Sequence, residues 1–300
     1  MITEVTGIRR IRMLYVQLLY RCNFRCLHCF HGERLAWRDA YTYEQAAALL
    51  GLMRADYDLE AVNFLGGEPF LSEHLPALLA FAKRTLGLRT EICTNGFRIT
   101  RQLSGCAPDI DLLRVSLEGL EEANDRIRHP GSFKAALETF ERAADLGIAT
   151  GATMTVTAAN AADVVPLAAL LQQRGVGQLK LHCLRPVGNA AAHPDLQVVD
   201  PVVYEVLYRR IADAGLRIEM IADEDLSPAA DGAGCRPAPD TAVLDRIESD
   251  PRGNLTMSCK AVGKDAHAFT YDKTLGRIDY HPSALDELTL AVPDVVYSRV

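Results

Sequence analysis

Met13-Leu14-Tyr15-Val16-Gln17-Leu18-Leu19-Tyr20-Arg21-Cys22-Asn23-Phe24-Arg25-Cys26-Leu27-His28-Cys29-Phe30 runs from an apolar stretch directly into three cysteines. Residues 14–20 read as a short buried strand. Cys22, Cys26 and Cys29 form a C-x3-C-x2-C triplet at its C-terminal end. Three thiolates fall one short of the four that close a structural zinc site. On a four-iron cluster they leave one iron open to something other than protein. A zinc site or buried structural thiols are the plainer alternatives to that reading.

Outward from this stretch, strand-like and helix-like segments alternate. Strands are predicted at 14–20, 61–65, 89–93, 112–117, 149–156 and 178–184, with helices at 42–53, 73–86, 98–104, 133–146, 163–174 and 201–214. Ser132 precedes one helix, and Gly87, Gly147, Gly175 and Gly215 follow others, as start and stop signals should. Six β-then-α units imply an α/β fold with parallel strands and right-handed crossovers. An open doubly wound sheet and a whole or partial barrel both satisfy that pattern. Either one places function at the C-terminal ends of the strands. There the special residues collect: Cys22 after the first strand, Gly66-Gly67-Glu68-Pro69 after the second and Thr94-Asn95-Gly96 after the third. Ser116 and Glu118 close the fourth strand, and Arg185 and Pro186 the sixth.

Bulk properties exclude several classes. With 49% hydrophobic residues in 300, the chain can bury a sizeable core and is not disordered. A net charge of −7 argues against nucleic acid as partner, since phosphate tracking needs a basic patch, and suits a cationic substrate better. The apolar run at 13–20 is too short to span a bilayer, and no secretory signal is present. Eight cysteines without such a signal favour thiols, metals or clusters over disulfides and point to the cytoplasm.

Beyond residue 216 the pattern changes. Residues 218–221 form a short strand, followed by acidic Asp223-Glu224-Asp225, and 243–248 with 254–258 read as a β-hairpin. The expected organisation is a main domain over 1–216 and a small α+β extension over 217–300, the latter holding Cys235 and Cys259.

The triplet together with Gly66-Gly67-Glu68-Pro69 resembles the radical S-adenosylmethionine (SAM) enzymes. Val115-Ser116-Leu117-Glu118-Gly119, Asn124-Asp125-Arg126-Ile127-Arg128 and Arg185-Pro186-Val187-Gly188 add to the likeness and resemble the SPASM or shortened twitch subgroup. It covers residues 13 to 190 well and the remainder loosely. The resemblance implies a partial (β/α)6 TIM-type barrel, one 4Fe-4S cluster with an open iron, and SAM chelated there. It implies Cys22, Cys26 and Cys29 as cluster ligands, with His28 and Phe30 near the adenine. Relatives often carry an aromatic where His28 stands. Gly66, Gly67 and Glu68 would receive the SAM amino group, and Ser116 and Arg128 its carboxylate, a task that suits an arginine. The structural alternative for Ser116 and Arg128 is a helix cap and a solvated charge. Cys93 and Cys106 read as core thiols.

Full SPASM extensions end in further cysteines, and none follows Cys259. Cys235, with Cys183 if it can reach, are candidate ligands of one auxiliary iron–sulfur cluster. Cys259 is the candidate hydrogen-atom donor of an epimerase. The expected function is radical epimerisation or dehydrogenation of an amino-bearing carbohydrate or cyclitol natural product, with flavodoxin or ferredoxin as electron donor. Only about a dozen residues precede the first strand, which leaves no room for a leader-peptide domain and weighs against the first alternative, a maturase of ribosomally made peptides. The second alternative is an iron–sulfur electron-transfer or regulatory protein.

Overall fold

The computed structural model describes residues 1–222, 242–257 and 267–282. Asp223–Asp225, Cys235 and Cys259 lie outside the described residues. The chain opens with α1 (Ile2–Thr6), β1 (Arg10–Gln17), α2 (Tyr43–Tyr57), β2 (Ala61–Leu65), α3 (Leu75–Ala80) and β3 (Arg89–Thr94). It continues through α4 (Thr100–Cys106), β4 (Leu112–Ser116), α5 (Glu121–Ile127), α6 (Ser132–Asp145), β5 (Thr150–Val156), α7 (Val164–Gln173) and β6 (Gln178–Cys183). Next come α8 (Pro201–Asp213), β7 (Glu219–Ala222), β8 (Val243–Ser249), β9 (Asn254–Thr256), β10 (Phe269–Asp272) and β11 (Arg277–Tyr280). No helix among the described residues is long and apolar enough to cross a membrane.

Contacts divide the chain into two compact units. The first comprises Met1–Arg21, Trp37–Glu91 and Pro228–Val300, and the second Cys22–Ala36 and Ile92–Ser227. In the first unit the strands run β11-β10-β9-β8-β1-β2. The β1 strand pairs in parallel with both β2 and β8, while β8 to β11 pair antiparallel. The predicted hairpin is thus present as β8–β9, and its first arm extends the sheet beside β1.

Register fixes two unlike faces in this unit. Leu14 lies opposite Val62 and Val16 opposite Phe64, all with no exposed surface. The alternate residues, Tyr15 opposite Asn63 and Gln17 opposite Leu65, occupy the other face. Each large apolar side chain so buried contributes about 1.5–3 kcal/mol over leaving it in water. α2 begins on a reciprocal cap, in which the Gln45 N–H donates to Thr42 Oγ1 and the Thr42 N–H to Gln45 Oε1.

In the second unit β4, β5, β6 and β7 are adjacent in chain order and all parallel. A doubly wound sheet reverses its strand order at a switch point. Sequential parallel strands wind one way, which is the order of a partial (β/α)6 barrel. α6 buries Phe133, Ala136, Phe140 and Ala143 at helical spacing. Ser132 is already the first residue of that helix, and the capping acceptor is Asp125, which takes the N–H groups of Gly131 at 2.5 Å and Phe133 at 2.8 Å. The predicted helix at 73–86 is α3 followed by a wider π turn over Phe81–Thr85.

Candidate functional site

The cysteine loop belongs to the second unit and is held there chiefly through its backbone. The Asn189 N–H donates to the Cys29 carbonyl at 2.8 Å, and the Asn189 side-chain amide to the Cys26 carbonyl at 3.0 Å. The Leu27 N–H reaches the Ile127 carbonyl at 2.9 Å. Gly188, with φ of 60°, lets this segment press against the loop, since a Cβ there would lie 2.4 Å from the Phe30 carbonyl oxygen. Phe24 anchors the loop's first half by stacking on His129 at 5.0 Å and meeting Phe97 edge-on at 5.3 Å. Asn95, at the end of β3, donates to Asn23 Oδ1 at 2.7 Å and lies 3.9 Å from Cys22 Sγ.

Thiols are thereby left as the loop's reactive side chains. Cys26 is buried, and Cys22 and Cys29 are half-buried. Burial pushes the Cys26 thiol up to about 12; the Arg128 guanidinium works against this, while Cys29, Cys22 and Glu118 add to it. Burial likewise raises Cys29. Thiolates here need a positive partner, and iron is one. No three His, Cys, Asp or Glu side chains among the described residues converge as the ligands of a single metal ion would. A four-iron cluster takes one thiolate per iron and so spreads its ligands, which fits the triplet.

Beside the thiols lies a buried charge network centred on Glu118. Its Oε1 accepts from Arg128 Nη2 at 2.8 Å, Arg128 Nε at 3.1 Å and His28 Nε2 at 3.1 Å. Its Oε2 accepts the Thr155 N–H at 2.8 Å. The Glu118 N–H bonds Asn124 Oδ1 at 2.8 Å, and its carbonyl accepts from Asn160 at 3.1 Å. Burial would raise the Glu118 carboxyl, but His28 and Arg128 hold it below the usual carboxylate range. Arg128, only 10% exposed, is kept charged against its own burial by Glu118 and then by Cys26. His28 Nδ1 is buried and has no partner, so the ring presents one uncommitted polar atom.

Of the sequence-predicted residues, the fold brings Cys26, His28 and Arg128 together around Glu118. Ser116 ends β4, with its hydroxyl 3.8 Å from Cys93 Sγ. Cys93, read as a core thiol, is half-buried. Cys106 is buried, its thiol pushed up to about 11 by that burial. Cys183 is half-buried at the end of β6. Phe30 rests on His31 with 4.2 Å between ring centroids.

Gly66, Gly67 and Glu68 belong to the first unit. The Gly67 N–H donates to the Leu19 carbonyl at 2.7 Å, and the Glu68 N–H to that of Arg21 at 3.0 Å. A Cβ on Gly67 would stand 2.2 Å from the Arg21 carbonyl oxygen. The pair therefore fixes the three residues that lead into Cys22. Glu68 is buried, and its carboxylate accepts the Phe70 N–H at 3.1 Å, capping a short 3-10 turn.

Sequence reasoning placed Asn95 and Glu118 at the functional ends of their strands without assigning either a partner, and it passed over Asn189 and Asn160. Glu118 carried a signal, because an acid two residues past Ser116 sits where a parallel strand delivers functional groups. The asparagines act through long-range contacts to backbone and side-chain atoms, which leave no local pattern.

A family model described as the Radical SAM superfamily matches residues 16–171. The Fe-coproporphyrin III synthase of Methanosarcina barkeri is 30% identical over 175 residues, which are 57% of this chain and 43% of that protein. The GTP 3′,8-cyclase of Corynebacterium glutamicum is 26% identical over 285 residues, 90% of this chain and 70% of the cyclase. Among solved structures, Streptococcus suis SuiB bound to S-adenosylmethionine superposes with a TM-score of 0.69 at 15% identity, covering 88% of this chain and 64% of SuiB. Native anSMEcpe with bound AdoMet and the Cp18Cys peptide gives a TM-score of 0.65 at 14% identity, over 87% of this chain and 76% of that one. At such identities the likeness is one of fold. The chain spans less than half the length of the synthase and less than two thirds of SuiB.

Proposed function

Because this chain belongs to the radical SAM superfamily, we propose that it cleaves SAM reductively and takes a hydrogen atom from an amino-bearing carbohydrate or cyclitol. The outcome is epimerisation or dehydrogenation of that substrate. Cys22, Cys26 and Cys29 hold the cluster. Bound there, a 4Fe-4S cluster and SAM supply one-electron cleavage of the sulfonium–C5′ bond and a radical that abstracts hydrogen.

The observation that carries this reading is the Glu118 network beside the triplet. Arg128 commits Nε and Nη2 to Glu118, which leaves Nη1 to grip the methionine carboxylate with Ser116. His28, oriented by Glu118, offers Nδ1 to the nucleoside, with Phe30 beside it. The backbone at Gly66, Gly67 and Glu68 receives the amino group. Cys259 returns a hydrogen atom in the epimerase case, and an auxiliary cluster would then rely on Cys183 and Cys235. Flavodoxin or ferredoxin supplies the electron.

A peptide substrate is the second reading, supported by the fold shared with SuiB, whose complex with the precursor peptide SuiA gives a TM-score of 0.68 at 14% identity.

Anaerobically reconstituted protein with dithionite should release 5′-deoxyadenosine from SAM, and Cys22→Ala should release none. A fully loaded chain that yields no 5′-deoxyadenosine overturns the enzymatic reading in favour of electron transfer. Aminosugars and peptides compared for stimulated SAM cleavage separate the two substrate classes. In deuterium oxide an epimerase product gains deuterium, whereas a dehydrogenase gives an unlabelled ketone.

A further inference from the structure

The first unit carries a polar sheet face that the cluster chemistry does not use. On β1 and β2 it presents Gln17 and Asn63, 5% and 2% exposed, on the side opposite Leu14, Val16, Val62 and Phe64. Each amide ends a short relay. Arg246 Nη2 donates to Glu248 Oε2 at 2.8 Å, and Glu248 Oε1 accepts from Gln17 Nε2. Arg89 Nη2 pairs with Glu91 Oε1 at 3.0 Å, and Glu91 Oε2 accepts from Asn63 Nδ2 at 3.4 Å. A carboxylate only accepts, so each amide must turn its NH2 group toward its glutamate. The carbonyl oxygens are then committed by default: Gln17 Oε1 and Asn63 Oδ1 are both buried with no hydrogen-bond partner.

Burying two acceptors without donors is costly. They lie on hydrogen-bonded neighbouring strands, Asn63 opposite Tyr15 and Gln17 two residues further along β1. Both arginine charges are already balanced by the glutamates. Of this face's buried side-chain atoms without a hydrogen-bond partner, two are acceptors and one, Arg246 Nε, is a donor, so donors are in the shorter supply. An ammonium or amide NH2 group supplies two or more donors and brings no anion into a region lined by two carboxylates.

We propose that Gln17 and Asn63 form a binding site for the amino group of a polar ligand, positioned by the Arg246–Glu248 and Arg89–Glu91 pairs. This goes beyond the function proposed above and does not rest on it.

The test is calorimetric titration of the cluster-loaded chain with two matched pairs, glucosamine against glucose and guanosine against inosine. Guanosine has an amino group where inosine has hydrogen, and glucosamine has one where glucose has a hydroxyl. No reductant is added, so binding is read whether or not the chain cleaves SAM. The expected result is at least tenfold tighter binding of the amino-bearing member in one pair. That preference should fall to threefold or less in Asn63→Leu and in Gln17→Met, with the thermal midpoint of each variant confirming its fold. Should either fail to fold, Asn63→Ser and Gln17→Ala remove the same oxygens with less bulk. Equal binding within both pairs overturns the site and assigns the two oxygens to water alone. A preference unchanged in both variants overturns it too. Amino-group preference in a chain that releases no 5′-deoxyadenosine keeps this site and removes the proposed reaction.

Discussion

Glu118 carries three cationic or donor partners on one buried carboxylate, and its removal leaves the Arg128 guanidinium without a counter-charge. Breaking a buried pair from one side costs about 3–5 kcal/mol, more than the pair itself contributes. Glu118→Gln is therefore expected to lose about that much in urea unfolding, and Glu118→Gln/Arg128→Met is expected to recover part of it. The pH dependence follows from the lowered carboxyl. A group whose folded pKa lies below its unfolded one stabilises above the unfolded value, about 4.3 for glutamate, and the contribution disappears as pH falls through the folded value. Unfolding followed from pH 7 to 2 should show this loss in the wild type below about pH 4.3. In Glu118→Gln that share of the slope should be missing; an identical acid limb in both would refute the assignment.

At the scale of elements, two short segments decide how the cysteine loop is held. Asp125 caps α6 through the Gly131 and Phe133 N–H groups and also accepts from the Ser132 hydroxyl at 3.0 Å. Asp125→Ala should cost about 1 kcal/mol, read as a lower urea midpoint at unchanged m. Gly188 and Asn189 act on the loop itself. Gly188→Ala forces a Cβ to within 2.6 Å of the Cys29 carbonyl oxygen, so iron retained per chain after gel filtration should drop below half of wild type. Asn189→Ala keeps the backbone bond to Cys29 and removes the side-chain bond to the Cys26 carbonyl, about 0.5–1.5 kcal/mol, and should lower iron retention less. These contacts also show where sequence reading stops. Five of the six strands were legible from apolar runs to within a residue, while the first, read at 14–20, is β1 over Arg10–Gln17; the triplet and glycine pair were legible from their spacing. α5 was not, because seven residues, Glu121–Ile127, are too few for a helical period to stand out, even though Asn124-Asp125 on it matched a motif. His28 and Glu118 lie ninety residues apart in the chain, and no local pattern announces a buried pair closed by folding alone.

Across the whole molecule the eight cysteines sort by what the fold does with them. Three are gathered on one loop beside Arg128. Cys106 is buried on α4, with its thiol 3.3 Å from the Gln102 carbonyl, and Cys93 faces the Ser116 hydroxyl from β3. That leaves Cys183, Cys235 and Cys259. With Cys259 serving as hydrogen-atom donor, two thiols remain for a second cluster, and clusters closed by protein need four. The sequence could count these thiols but not place them, since their distances depend on how β6 and the chain beyond it are brought together. Full anaerobic reconstitution should therefore load about four irons per chain, and the Cys22→Ala/Cys26→Ala/Cys29→Ala variant about none. Were that triple variant to keep about four irons, a second cluster would exist, Cys259 would join Cys183 and Cys235 as a ligand, and the epimerase reading would lose its donor.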